Sequence, residues 1–499
     1  MVYAIRAGEM SREVFALAIF LQGGVNRREP RLVLDVDNYL SYIKEEIAFL
    51  TLEEAIARFA GEFAGLAVFD LGADDVSVNL AATVSAAENL LGVPRGLMHL
   101  VPAMQVLFDA ADIRGTNAER QRQIFYRYRD RLDRRGLVHQ VVVGDDYHLQ
   151  LRDFAIARGY LTFFTDETEE DLAFRREVLT WAERNIPVYG WTTDEIGFVR
   201  SISEYGNYVI PMDWSCNHSY FGTDRAVYVR QKADPPRPLT PGKHYLTIVV
   251  SDGDNVQWLE RDFSTTSHYG QRMRSAHGYP VNWTIAPSMA HLCPEVLRYI
   301  YAQAEHDYFI TGVSGVGYNN IMTYPREHLP RYAELTAEAM AAADLSYMCM
   351  LDNLATTEDA AEVTARLDEF AKYDNIGGGI WELDPDRYES GRGRVFFSSD
   401  GKPFVSVRLS LWHPSNRPEN VTDEWVVRYA ERINALPVKP GAIDGYTVLN
   451  VHPWTTDIAE LDLLVSHLAD HVEIVSVRDF LEGVRQNVPH KNACPETES

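Results

Sequence analysis

From Tyr245 to Val475 the chain alternates short, fully apolar runs with helix-periodic segments, and this alternation limits the fold more than any other feature. The runs fall at Tyr245–Val250, Val281–Ala286, Tyr308–Val313, Tyr347–Leu351, Ile376–Trp381, Phe404–Leu411, Tyr446–Val451 and Val472–Val475. Helical patterns lie between several of them, at Pro294–Glu305, Arg331–Ala343 and Glu358–Tyr373, the last with Thr356 or Thr357 as its N-cap. A strand without polar alternation must be covered on both faces, which is the condition of a parallel sheet with helical crossovers. Seven or eight such runs predict a TIM-like (β/α) barrel over residues 243–486, with a doubly wound open sheet as its rival.

The half before this region is also α/β. Strands are expected at Arg31–Asp35, Leu66–Phe69, Gly96–Val101, Val138–Val143, Tyr160–Phe164 and Val188–Tyr189, with helices at Ala81–Leu91 and Leu172–Arg184. Four prolines within Asp234–Pro241 cannot continue a helix or a central strand, so the boundary of the N-terminal region, residues 1–235, is placed there. Residues 487–499 read as a polar tail.

Composition narrows the function. A formal charge of −25 repels phosphate backbones, so nucleic acid is not an expected partner. The apolar stretch Val14–Leu21 is too short to span a bilayer and is read as a packed helix, so no membrane partner is expected either. Cys216, Cys293, Cys349 and Cys494 are scattered, without zinc-knuckle or disulfide-scaffold spacing. Cys349 is read as a small core residue, and a cytoplasmic location is expected.

In a parallel barrel the residues that follow the strands converge on one rim. Here Ser251-Asp252-Gly253-Asp254-Asn255 follows the first run and Ser314-Gly315-Val316-Gly317-Tyr318 the third. Asp352, Glu382 and His452, the last with Trp454, follow later ones. Glycoside hydrolysis takes two carboxyl groups, one an acid and the other a base or nucleophile. Asp252, Asp254, Asp352, Glu382 and His452 are therefore the catalytic candidates. Asn255, Trp258, Trp283, Ser314, Tyr318, Tyr324 and Trp454 are candidates for holding a sugar, the indoles by stacking on pyranose faces.

Each feature also has a structural explanation. Asp-Gly-Asp-Asn makes good turns, and His452 is as readily a packed rim residue. The segment after Tyr318 supplies neither a lysine nor a helix N-terminus, so the glycines of Ser314–Tyr318 are not read as a phosphate cradle. Trp181, Trp191 and Trp412 are assigned to cores.

Taken together the motifs resemble the GxGYxYP glycoside hydrolase family. Ser314–Tyr318 with Tyr324-Pro325 resembles its signature, Leu21–Arg27 (LQGGVNR) its N-terminal segment, Ser251–Asn255 its SDGDN loop and Gly445–Trp454 its C-terminal motif. The likeness runs from about residue 15 to residue 485. This chain departs from the signature where Asn319–Thr323 intervene between Tyr318 and Tyr324, in place of a single residue. The resemblance implies α/β N-terminal domains, a barrel and sugar hydrolysis, with Gln22, Asn26 and Arg27 as N-terminal site candidates.

Three functions fit. A glycosidase would use Asp252 or Asp254 with Asp352 or Glu382 and needs no cofactor. A metal-dependent carbohydrate hydrolase, such as a deacetylase, would hold a divalent ion, but His291 stands alone where that chemistry wants a histidine pair. A carbohydrate-binding protein would keep the aromatics and tolerate loss of Asp252 and Asp254. In all three the partner is carbohydrate, and the oligomeric state is left open.

Overall fold

Apolar strands need cover on both faces, and the computed structural model meets that need with parallel sheets. It describes residues 1–490 except 7–10, 26–33, 35–38, 73–74, 143–148, 224, 262 and 264–277. The chain divides into two compact units, Met1–Asp224 with His291–Glu295, and Arg225–Ala290 with Val296–Ser499.

In the first unit β1 (Val2–Ala4) pairs in parallel with β2 (Ile47–Phe49). Strand β3 (Leu66–Phe69) lies between β4 (Leu91–Pro94) and β5 (Val106–Asp109), all parallel. Strand β6 (Asp133–His139) lies between β7 (Tyr160–Phe163) and β8 (Pro187–Gly190), with β9 (Tyr208–Ile210) beyond β8. A first strand in the middle of the sheet is the doubly wound order. The apolar stretch Val14–Leu21 lies within α1 (Arg12–Gly23), which the Ser11 side chain caps and which is buried from Ala16 onward. The run Gly96–Val101 is not a strand. Pairing with β3 is used up by Leu91–Pro94, and Arg95–Leu100 coils into a 3-10 turn after the proline. Most of the expected strand Arg31–Asp35 lies outside the described residues.

In the second unit β10 (His244–Val250) is the central strand. It pairs over Tyr245–Val250 with β18 (Tyr446–Val451), and β17 (Leu409–Leu411) lies beyond. On its other side β19 (Val472–Ile474) covers its first residues, and β11 (Asn282–Ile285) covers Val249 and Val250. Strand β12 (Tyr308–Thr311) follows β11. A second sheet holds β13 (Met348–Asn353), β14 (Gly379–Asp384) and β16 (Pro403–Ser406) in parallel, with β15 (Val395–Phe397) antiparallel at its edge.

The described strands of the second unit thus form two sheets rather than one continuous ladder. Two connections join them. A parallel bridge links Val313 to Cys349, and the Thr311 N–H donates to the Tyr347 carbonyl at 3.1 Å. The expected strand Phe404–Leu411 divides in two because it changes partner midway. Val407 N–H donates to Trp381 at 3.0 Å and Arg408 N–H to Val448 at 3.1 Å, so β16 stays with β14 while β17 joins β18.

The expected helices are present at Pro294–Gln303, Leu329–Ala342 and Ala360–Ala371. The cap of the last is Asp359, not Thr356 or Thr357. Its carboxylate accepts from the N–H groups of Ala361 and Glu362, while both threonines sit in a preceding 3-10 turn. The proline-rich segment belongs to the second unit, where Val229 N–H donates to Ala342 at 2.8 Å and Arg237 N–H to Asp479 at 3.3 Å. Among the described residues no helix is long and apolar enough to cross a membrane.

Candidate active site

Past Val250 the chain makes a tight turn whose geometry depends on one glycine. A Cβ on Gly253 would lie 1.7 Å from the Thr284 carbonyl oxygen, so no other residue fits against β11. The Gly253 N–H donates to Thr284 Oγ1 at 2.9 Å, and that hydroxyl donates to the Val250 carbonyl at 2.8 Å. Asn255 closes the loop, its backbone N–H and its side-chain amide both donating to the Asp252 carbonyl at 3.1 Å. Asp252 sits in the left-handed region at φ 65°, which a non-glycine residue holds only when its surroundings over-determine it. Gly312, just past β12, receives Asp254: a Cβ there would come within 2.7 Å of the Asp254 nitrogen.

Both oxygens of Asp252 are engaged. Oδ2 accepts from the Ser251 hydroxyl at 2.6 Å and Oδ1 from the Trp454 indole N–H at 2.8 Å, while His452 Nε2 lies 4.0 Å from Oδ2. Trp454 is 44% exposed and meets the buried Trp258 edge-on, ring centres 5.2 Å apart. His452 lies flat on Trp412, 3.8 Å between centres and 4° between planes, and its buried Nδ1 has no hydrogen-bond partner among the described residues. Burial lowers the imidazole's pKa, against a smaller upward pull from Asp252.

Glu382 lies opposite Leu351 across β13 and β14, buried, and its Oε1 has no hydrogen-bond partner among the described residues. Its carboxyl is held well above the usual range, first by burial and then by the negative charges of Asp252 and Asp254. The buried Cys349 thiol on β13 is raised by burial and by Glu382 in turn. One buried carboxyl with a raised pKa therefore lies near two acidic neighbours that follow a different strand.

Asp352 does not join them. Side chains alternate across a strand, so Asp352, one residue after Leu351, points to the face opposite Glu382. There it accepts from the Met322 N–H at 3.0 Å and the Trp381 indole N–H at 3.3 Å. Burial raises its pKa to about 7.

The other candidates separate by burial. Ser314 is buried and braces a turn, donating to the Asn319 carbonyl at 2.9 Å and accepting from the Leu351 N–H at 3.1 Å. Tyr318 is buried, and Tyr324 packs on Tyr332 with ring centres 5.1 Å apart. Trp283 is a core side chain, its indole N–H on Asp307 at 2.9 Å. In the first unit Gln22 is buried and donates to Asp153 at 2.8 Å and Ser219 at 3.1 Å. Asn26 and Arg27 lie outside the described residues. Trp412, assigned to a core from sequence, instead backs His452. Its place just after β17 was the signal that it stands beside the residues that follow the strands.

Comparisons with known proteins follow the same segments. Residues 242–485 match the family model described as "GxGYxYP putative glycoside hydrolase C-terminal domain", and residues 137–222 match "GxGYxYP third domain". No curated protein matches the chain. Among solved structures it is similar to one described as a "putative hydrolase" from Bacteroides thetaiotaomicron VPI-5482. The two share 22% identity over 97% of this chain and 94% of that one, with a TM-score of 0.83. That likeness concerns the fold. The two family matches fall in order along the chain, and the C-terminal one spans Ser251–Asn255, Ser314–Tyr318 and His452–Trp454. The chain belongs to the GxGYxYP family.

Proposed function

We propose that the chain is a glycoside hydrolase in which Glu382 is the general acid and Asp254 the second carboxylate, acting as base or nucleophile. Asp252 is the fixed charge that orients the pair. The observation that carries this reading is Glu382 itself. It is a buried carboxyl whose Oε1 has no partner among the described residues and whose pKa is raised by burial and by two neighbouring aspartates. A glycosidic oxygen leaves with a proton, and an acid that stays protonated at neutral pH beside an ionised partner supplies it. Asp252 has both oxygens occupied, which suits orientation rather than attack. The exposed Trp454 face, backed by Trp258, offers an apolar shelf for a sugar ring.

We read the two sheets of the second unit as one (β/α) barrel. The Val313–Cys349 bridge and the change of partner at Val407–Arg408 support that reading at its two seams. On it Asp254, Glu382 and His452 share the C-terminal rim, the usual site of barrel catalysis.

The test is turnover of a panel of 4-nitrophenyl hexosides. Asp254→Asn and Glu382→Gln are expected to lose roughly 10²-fold or more, the size of a positioned acid or base, and Asp352→Asn to keep its rate. Unchanged turnover in both of the first two variants would place the chemistry elsewhere.

A further inference from the structure

Away from the candidate active site the second unit holds a cavity of about 250 Å³. The proline-rich segment forms one wall, through Asp234, Pro235, Arg237 and Pro238. Tyr308, the first residue of β12, and Pro280, just before β11, form a second, and the chain from Glu473 to Asp479 forms the third. Gly253 and Asp254 meet the far ends of the same two strands, at Thr284 and Gly312. The cavity therefore lies at the opposite end of β11 and β12 from the Asp252–Asn255 loop.

Its walls are fixed before any ligand arrives. Proline locks φ, and the segment is tied down along its length. The Arg237 N–H donates to Asp479 Oδ1 at 3.3 Å and Arg478 Nη2 to the Asp234 carbonyl at 2.8 Å. Further on, the Thr240 N–H and hydroxyl donate to Glu473 at 3.0 and 2.7 Å. A preformed wall loses little freedom on binding. These bonds leave capacity of both kinds. Arg478 also donates from Nε to Asp479 Oδ1 at 3.3 Å, so neither bond uses its Nη1 or the Asp479 Oδ2. Asp234 meets His306 Nδ1 at 3.0 Å and Arg237 Nη2 at 3.3 Å, both on Oδ2.

Cationic and anionic groups alternate around the space, and this selects the ligand. An anion would meet Asp234, Glu473 and Asp479, and a cation would meet Arg237 and Arg478. A neutral polyol suits both, because each hydroxyl can donate to a carboxylate and accept from a guanidinium. Pro235, Pro280 and Ile474 add apolar surface for the C–H face of a sugar ring. The volume falls just under the ~300–1,000 Å³ of sites for drug-sized ligands, which suits one or two rings rather than a long chain.

We propose that this cavity is a second carbohydrate-binding site, which holds one or two neutral sugar rings without cleaving them. The inference does not rest on the assignment of Glu382, since it draws on none of the residues at the other end of the strands.

The experiment is a ligand-observed NMR titration with the methyl glycosides of glucose, galactose, mannose and N-acetylglucosamine. Wild type is compared with Trp454→Ala, Arg478→Met and Arg237→Ala, each also melted. Trp454→Ala removes the exposed indole of the candidate active site, so binding that persists in it belongs elsewhere. At least one glycoside is expected to bind wild type and Trp454→Ala alike. Arg478→Met should weaken it roughly tenfold or more, the size of a lost hydrogen bond to a charged group. The Arg237 side chain is 70% exposed, so Arg237→Ala should weaken binding with Tm unchanged, and it keeps the test decisive if Arg478→Met melts early. Binding of no glycoside, its complete loss in Trp454→Ala, or unchanged affinity in Arg237→Ala would overturn the proposal. Displacement of the glycoside by an equal concentration of inorganic phosphate or spermidine would overturn it too, by showing that the cavity takes a charged ligand.

Discussion

Replacing Asp352 by asparagine removes a carboxyl that titrates at about 7 in the fold, against 3.8 in an ordinary setting. Burial is the main cause, and the bonds from Met322 N–H and Trp381 only partly oppose it. Because the folded value is the higher one, the folded chain keeps a proton that the unfolded chain has released. The stability tied to this group is complete below the unfolded value and is lost as pH rises through the folded one. The loss runs at about 1.4 kcal/mol per pH unit, or about 4 kcal/mol over the whole window. Asparagine has no such slope, but its NH2 cannot accept a hydrogen bond. Either the Met322 or the Trp381 donor is left unmatched, at a cost of about 1 kcal/mol. The variant should therefore match wild type near pH 4.5 and exceed it by about 3 kcal/mol near pH 8. Other raised carboxyls, such as Glu382 and Asp384, are present in both proteins and cancel in the difference. The assay is urea unfolding of both proteins at several pH values, with turnover measured alongside. Parallel stability curves would refute the buried-acid account of Asp352, and a collapse of turnover would return it to the catalytic group.

Gly253→Ala drives a Cβ into the Thr284 carbonyl; overpacking of about 1–3 kcal/mol should lower Tm by roughly 5 °C and abolish turnover, as a thermal melt with a rate assay will show. Asp252→Asn removes a negative charge that helps hold the Glu382 carboxyl high, so the alkaline limb of the kcat profile should move to lower pH. Trp454→Phe keeps a ring for stacking but removes the donor to Asp252 Oδ1, so kcat should fall roughly tenfold with KM little changed in steady-state kinetics.

The parallel strands of the second unit were legible because each is apolar without interruption, and Tyr245–Val250 and Tyr446–Val451 appear within a residue of their expected ends. Short strands such as Val106–Asp109 and Tyr208–Ile210 carry no comparable run and were missed. The division of Phe404–Leu411 was hidden because an exchange of hydrogen-bond partner leaves no trace in hydrophobicity. At the site, the rule that strand ends converge named Asp252, Asp254, Glu382 and His452 as candidates, and these groups lie near one another, but the rule says nothing about which face a residue takes. Asp352 therefore stood with Glu382 in the sequence reading, although one residue of register turns it to the opposite face.

The central claim is that Glu382 protonates the departing glycosidic oxygen while Asp254 acts at the anomeric carbon. Leaving-group dependence tests it most directly, because a proton donor matters least when the leaving group is already acidic. We would measure kcat/KM of wild type, Glu382→Gln and Asp254→Asn on one sugar bearing 2,4-dinitrophenol, 4-nitrophenol and methanol in turn. The account predicts that Glu382→Gln keeps most of its rate on the dinitrophenyl compound and loses progressively more toward the methyl glycoside. Asp254→Asn should lose about equally on all three. A uniform defect in Glu382→Gln, or none, would contradict the assignment of Glu382 as the acid.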